Sequence, residues 1–146
     1  MVADSGGFSP SAAKPAAVVK AWTDTKMPIA IREPLVATFP MLYAAHDPHF
    51  VREVMDGTRP NGHGNTSGFL AATLPHTCGA MVAAAREAVS NGKGAVAPVS
   101  GFHHAGYDYT GGFCTFNGLM VAAMDVPELE VGILDFDMHY GNGTDN

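Results

Sequence analysis

The sequence predicts an α/β domain with a mostly parallel sheet flanked by helices. Three observations carry that prediction. Residues 95–100 (AVAPVS) and 131–138 (VGILDFDM) are short apolar runs with strand character. Between them lie a Gly-rich loop and an apolar helical stretch at 116–124. Strand, loop, helix, strand is a βαβ unit, which pairs its strands in parallel through a right-handed crossover. The length of 146 residues suits one domain.

Each element has a local reason. Residues 1–14 read as loop, and Pro15 suits the first turn of a helix running to about Asp24. Residues 25–40 hold Pro28, Pro34 and Pro40 and read as irregular. Residues 41–46 form a short apolar segment of helical character. Asp47-Pro48 is an N-cap followed by a first-turn proline, opening a helix to about Asp56 that Gly57 stops. Residues 57–70 (GTRPNGHGNTSGFL) are a loop. Pro75 starts the longest helix, which ends at Asn91-Gly92. In open α/β sheets ligands bind beyond the carboxyl ends of the strands. Segments 101–112 and 135–144 both fall at such ends, so the fold brings them together.

Composition narrows the function. Hydrophobic residues make up 47% of the chain and charged residues 15%, which excludes a disordered chain. The eight Lys and Arg are scattered, which argues against a nucleic-acid-binding arm. No apolar run approaches the ~20 residues a membrane span needs, and the N-terminus lacks the order of a secretory signal. Two cysteines, Cys78 and Cys114, make no disulfide framework, so a reducing cytoplasm is the expected location. The net charge of −6 hides a split. Residues 94–146 carry seven acids and no Lys or Arg. Two of those acids, Asp135 and Asp137, sit inside the apolar run VGILDFDMHY. Carboxylates in apolar surroundings need a partner. A metal cation fits best, with a Lys or Arg from elsewhere in the fold as the alternative.

The chemistry-bearing residues cluster. In Asp135-x-Asp137-x-His139 the three side chains share one face of an extended strand, with Leu134, Phe136 and Met138 on the other. Carboxylate and neutral imidazole are suitable zinc ligands. His103-His104 follow the first apolar run, and on a loop both imidazoles can enter one cavity and divide general-base and general-acid work. Gly111-Gly112-Phe113-Cys114 allows close backbone approach, with Phe113 as a wall. In the turn 140–144, Asn142 tolerates unusual backbone angles. His46 and His49 flank a helix start and read as structural or rim residues. His63 lies on a mobile-looking loop within reach of a substrate. Cys114 reads as a small packed residue.

Together, segments 98–105 (PVSGFHHA), 112–117 (GFCTFN) and 134–144 (LDFDMHYGNGT) resemble the histone deacetylase superfamily. The likeness is nearest to its bacterial deacetylase-like and acetylpolyamine-amidohydrolase-like branches, because Asn142 stands where class I enzymes have Asp. The resemblance implies the N-terminal part of an arginase/deacetylase-type domain. It implies Asp137 and His139 as zinc ligands and His103 and His104 as the tandem catalytic histidines. Asp135 would support the first histidine and help hold a potassium ion, and Asn142 would partner the second. Gly112 and Phe113 would form the backbone and wall of an acyl channel, with the loop near 63–67 at its rim.

The activity implied is zinc-dependent removal of an acetyl or similar acyl group from an amine, with an acylated lysine or a polyamine-like small molecule as substrate and neither nucleic acid nor membrane as partner. The superfamily's third zinc ligand and its oxyanion-stabilising Tyr come from segments downstream of residue 146. Residues 1–146 alone are therefore expected to be inactive or nearly so, and to self-associate or need the missing C-terminal half. A non-catalytic binding or regulatory fragment is the alternative. An arginase-like ureohydrolase fits less well, because after His139 no carboxylate follows until Asp145.

Overall fold

The computed structural model describes residues 13–145. The expected loop at residues 1–12 lies outside them. Helix α1, Lys14–Asp24, has Pro15 in its first turn and buries no side chain. Residues 25–38 are irregular, as the prolines predict. Helix α2, Phe39–Ala45, starts two residues earlier than its apolar run, because Pro40 occupies its first turn. Helix α3, Pro48–Met55, is capped by Asp47, whose carboxylate accepts from the backbone N–H groups of His49 and Phe50 at 2.8 and 3.0 Å.

Helix α4, Gly68–Ala71, is a single turn inside the segment expected to be loop. Ser67 caps it by accepting from the Leu70 N–H, and four residues are too few to show a helical period. Helix α5, Leu74–Asn91, ends in Gly92 with φ of 67°, a left-handed stop. Helix α6, Gly118–Met124, begins later than expected because Asn117 caps it and Phe116 belongs to the core.

The core gathers Ala37 and Leu42 with Phe50, Val51 and Val54 of α3, and Cys78 and Val82 of α5. Phe102, Phe116, Val121 and Ala122 close it from the C-terminal side. The Phe50 and Phe116 rings meet edge-on at 5.7 Å, and the His46 ring lies against both. Helices α2, α3, α5 and α6 are thus one packed unit. Arg86 of α5 grips Asp125 at the end of α6 with two hydrogen bonds of 2.6 and 2.8 Å. Residues Gly68–Asn91, taken as one run, are long and apolar enough to cross a membrane, which corrects the expectation that no such run exists. The alanines raise the hydropathy of this stretch without an unbroken run of large apolar side chains. Here Cys78, Gly79 and Val82 of α5 face the core.

The expected sheet is not formed among the described residues. Residues 95–100 and 131–138 are non-helical, but no backbone hydrogen bond joins them, and the isolated bridge pairs Gly111 with Cys114. A strand exists only through a hydrogen-bonded neighbour, and neither run has one here. The expected βαβ unit is therefore seen here only as two non-helical apolar runs flanking α6. The alternation along 131–138 survives, but its apolar side is uncovered: Leu134, Phe136 and Met138 are 79%, 89% and 90% exposed.

Candidate active site

The tandem histidines sit in a tight turn. Phe102 and Ala105 are buried, and the Ala105 N–H donates to the Phe102 carbonyl at 3.0 Å. Fixing both flanks in the core leaves His103 and His104 at the two central positions, with ring centroids 4.1 Å apart. Each imidazole has its own support. His103 Nδ1 donates to Asp135 Oδ2 at 2.7 Å. His104 Nδ1 donates to Asn142 Oδ1 at 2.7 Å. Asn142 also donates from Nδ2 to the Tyr109 hydroxyl at 3.3 Å, and that hydroxyl donates to the Asn142 carbonyl at 3.1 Å. Engagement of Nδ1 fixes the ring orientation and leaves Nε2 as the atom for proton transfer.

Asp137 and His139 complete the cluster. His103 Nε2 lies 4.0 Å from Asp137 Oδ1, and the His104 and His139 rings are 6.0 Å apart. Asp135 accepts from the Asp137 N–H at 2.9 Å, and Asp137 accepts from the His139 N–H at 2.8 Å and from His139 Nδ1 at 2.9 Å. These bonds hold both carboxyls below the usual carboxylate range. For Asp135 the Asp137 N–H contributes most, followed by His103. For Asp137 the His139 N–H contributes most, followed by the His139 ring. The carboxylates are more open than their apolar context predicts, at 37% for Asp135 and 49% for Asp137. Among the described residues neither pairs with a Lys or Arg, so the alternative of a distant cationic partner is not met there. Nor does any group of three His, Cys, Asp or Glu among the described residues stand ready to hold a metal ion.

Gly112 lies directly against His104, with Phe113 next to it in the chain. Gly112 has φ of 50°, and a Cβ there would lie 2.2 Å from His104 Cδ2, so only glycine lets the chain pass. Phe113 also takes a positive φ of 66° and is half exposed. Its ring meets that of His63 at 5.5 Å, and its N–H donates to the Gly62 carbonyl. The His63 loop carries its own hydrogen bonds: Asn61 Nδ2 donates to Asn65 Oδ1 at 2.8 Å and Asn61 Oδ1 accepts from the His63 N–H at 2.9 Å. Burial lowers the His63 pKa, and its Nδ1 is enclosed without a hydrogen-bond partner. Cys114 is buried, as expected, and burial raises its thiol.

All of the singled-out residues from His103 to Asn142 thus converge. Sequence reasoning missed the supports behind them, Tyr109, Thr144 and Asn117. For Asn117 the available signal was an Asn directly before the apolar run GLMVAAM, a helix N-cap pattern.

Comparison with known proteins gives the family. Residues 11–146 match the family described as histone deacetylase domain, and the chain belongs to that family. It is 51% identical over 45 residues to acetylpolyamine amidohydrolase 2 of Pseudomonas aeruginosa, a stretch covering 29% of this chain and 13% of that protein. It is 37% identical over 90 residues to histone deacetylase HDA1 of Saccharomyces cerevisiae, covering 55% of this chain and 12% of that protein. The chain therefore spans a small part of these relatives. Its fold is similar to the crystal structure of the HDA15 HD domain, with a TM-score of 0.79 at 23% identity over 91% of this chain and 42% of the other. It is likewise similar to acetylpolyamine aminohydrolase from Burkholderia pseudomallei, with a TM-score of 0.73 at 23% identity over 90% and 49%.

Proposed function

We propose that the complete protein is a zinc-dependent amidohydrolase that removes an acetyl or similar acyl group from an amine, and that residues 103–142 carry its proton-transfer groups. The observation that carries this reading is the pair of buttressed imidazoles, His103 on Asp135 and His104 on Asn142, beside Asp137 and His139. Asp137 and His139 would hold the metal, since carboxylate oxygen and imidazole nitrogen are donors zinc takes. The reading requires a third donor from outside the described residues. When bound, zinc polarises the amide carbonyl and makes water a nucleophile near neutral pH.

The chain's own residues then have separate tasks. His104, oriented by the neutral amide of Asn142, takes the proton of the attacking water through Nε2. His103, backed by the Asp135 carboxylate, supports the positive charge that this transfer creates. The pair returns the proton to the amine nitrogen as the amide bond breaks. Gly112 and Phe113 wall the acyl group against His104. An amine bearing further positive charges suits the acidic character of residues 94–146, since a cleft of one sign concentrates ligands of the other. An acetylated polyamine or acetyllysine is the substrate class this supports.

The test is acetate release by the full-length protein from an acetylated diamine and an acetyllysine peptide. His104→Ala should lower kcat by ~10²–10⁴-fold with KM little changed, the usual contribution of a positioned acid–base group. Turnover undiminished by that substitution would refute the assignment.

A further inference from the structure

The two halves of the site come from segments far apart in sequence, the 103–104 turn and the 142–144 turn. They lie in backbone contact: the Gly143 N–H donates to the His103 carbonyl at 2.7 Å, and a Cβ on Gly143 would come within 2.3 Å of the Ala105 carbonyl oxygen. One side chain bridges them. Asn117 Nδ2 donates to the Ala105 carbonyl at 3.1 Å and to Thr144 Oγ1 at 3.0 Å. These acceptors lie one residue beyond His104 and two beyond Asn142. Asn117 Oδ1 meanwhile caps α6, accepting from Leu119 and Met120 N–H at 3.2 and 3.3 Å. Its own backbone N–H donates to His46 Nε2 at 2.8 Å. His46 is wholly buried, and its Nδ1 donates to the Gly106 carbonyl at 2.9 Å, with the Tyr107 carbonyl at 3.2 Å.

We propose that Asn117 is a positioning residue that holds the histidine turn and the Asn142 turn in register, with His46 as its buried anchor. The proposal rests on the hydrolase reading above for its catalytic consequence. Asn117 is 1% exposed and all its side-chain polar atoms are engaged, so it acts through its neighbours. The residue type is specific. Ser or Asp would cap α6 as well, but only a primary amide accepts at one atom while donating two bonds from the other. Losing those donors would let the two turns slide, and a misplacement of about 1 Å at a reacting centre costs on the order of 10²-fold in rate.

The experiment uses the full-length protein with Asn117→Ser, which keeps the cap and removes the bridge, and with Thr144→Val, which removes one arm of it. Residue-resolved amide hydrogen exchange and steady-state kinetics on an acetylated diamine are measured together. In Asn117→Ser, Gly143 exchange should rise about tenfold or more while Val121 in α6 and Val51 and Val54 in α3 stay protected, a local opening rather than a global one. The kcat should fall about 10–100-fold with KM within about threefold, and Thr144→Val should show a smaller shift in the same direction. Unchanged Gly143 exchange and kcat would overturn the proposal, as would loss of protection at Val51 and Val54 in parallel with Gly143. Should Asn117→Ser unravel α6, Thr144→Val decides by the same readouts. If the unsubstituted protein hydrolyses no acetylated amine, the hydrolase reading fails, while Gly143 exchange still decides the positioning role.

Discussion

His103 and His104 show how two adjacent side chains are made to work together. A regular strand would send them to opposite faces. The buried pair Phe102 and Ala105 instead pins a turn whose two central residues project side by side. Their supports differ by one atom. His103 rests on a carboxylate and His104 on an amide of matching geometry, so the two imidazoles are held alike but face different charge. These residues were legible in the sequence through three motifs taken together, since a histidine pair on a loop by itself reads as ordinary. Asn117 and His46 were not legible in that role, since it depends on three segments that meet only in the folded chain. Burial also argues against Cys78 as a nucleophile on the same scale. Burial pushes the Cys78 thiol up to about 12, and thiolate is the reactive form. Iodoacetamide at pH 8 should therefore leave Cys78 unmodified in the folded protein and label it on unfolding; rapid labelling of the folded chain, read by mass spectrometry, would contradict this.

At the scale of elements, the helices were written locally and the pairing of the apolar runs was not. Pro15, Asp47-Pro48 and Asn91-Gly92 each mark a helix end through their own backbone preferences, and each helix lies where they place it. Strand pairing depends on a distant partner, so apolar alternation at 131–138 gave a face but no ladder. Two predictions belong here. Asp47→Ala removes both cap bonds of α3 and should lower stability by about 1 kcal/mol in denaturant unfolding; an unchanged midpoint would count against the cap. His46 joins α2, the 106–107 loop and the start of α6 as a neutral ring, and burial holds its pKa below the ordinary imidazole value of about 6.5. The unfolded chain then binds a proton that the folded chain refuses. The His46 contribution to stability is present above about pH 6.5 and is lost as pH falls through the lowered folded value. Replacing His46 with Gln should flatten that stretch of the stability profile, whereas an identical profile would deny the neutral-ring account.

On the scale of the whole molecule, the helical core and the site differ in how they are covered. The core is closed by its own helices, while Leu134, Phe136 and Met138 stand open directly behind Asp135 and Asp137. Exposed apolar surface of this kind drives association. Residues 1–146 in isolation should sediment as a dimer or larger species, and Phe136→Asp should shift them toward monomer; a concentration-independent monomer before substitution would contradict the expectation. The central claim is that one cluster drawn from two turns performs metal-assisted amide hydrolysis. Its most direct test is acetate release from an acetylated diamine by the full-length protein, before and after chelation and again after zinc is restored. The account predicts turnover that stops with the chelator and returns with zinc; steady turnover through metal removal would contradict it.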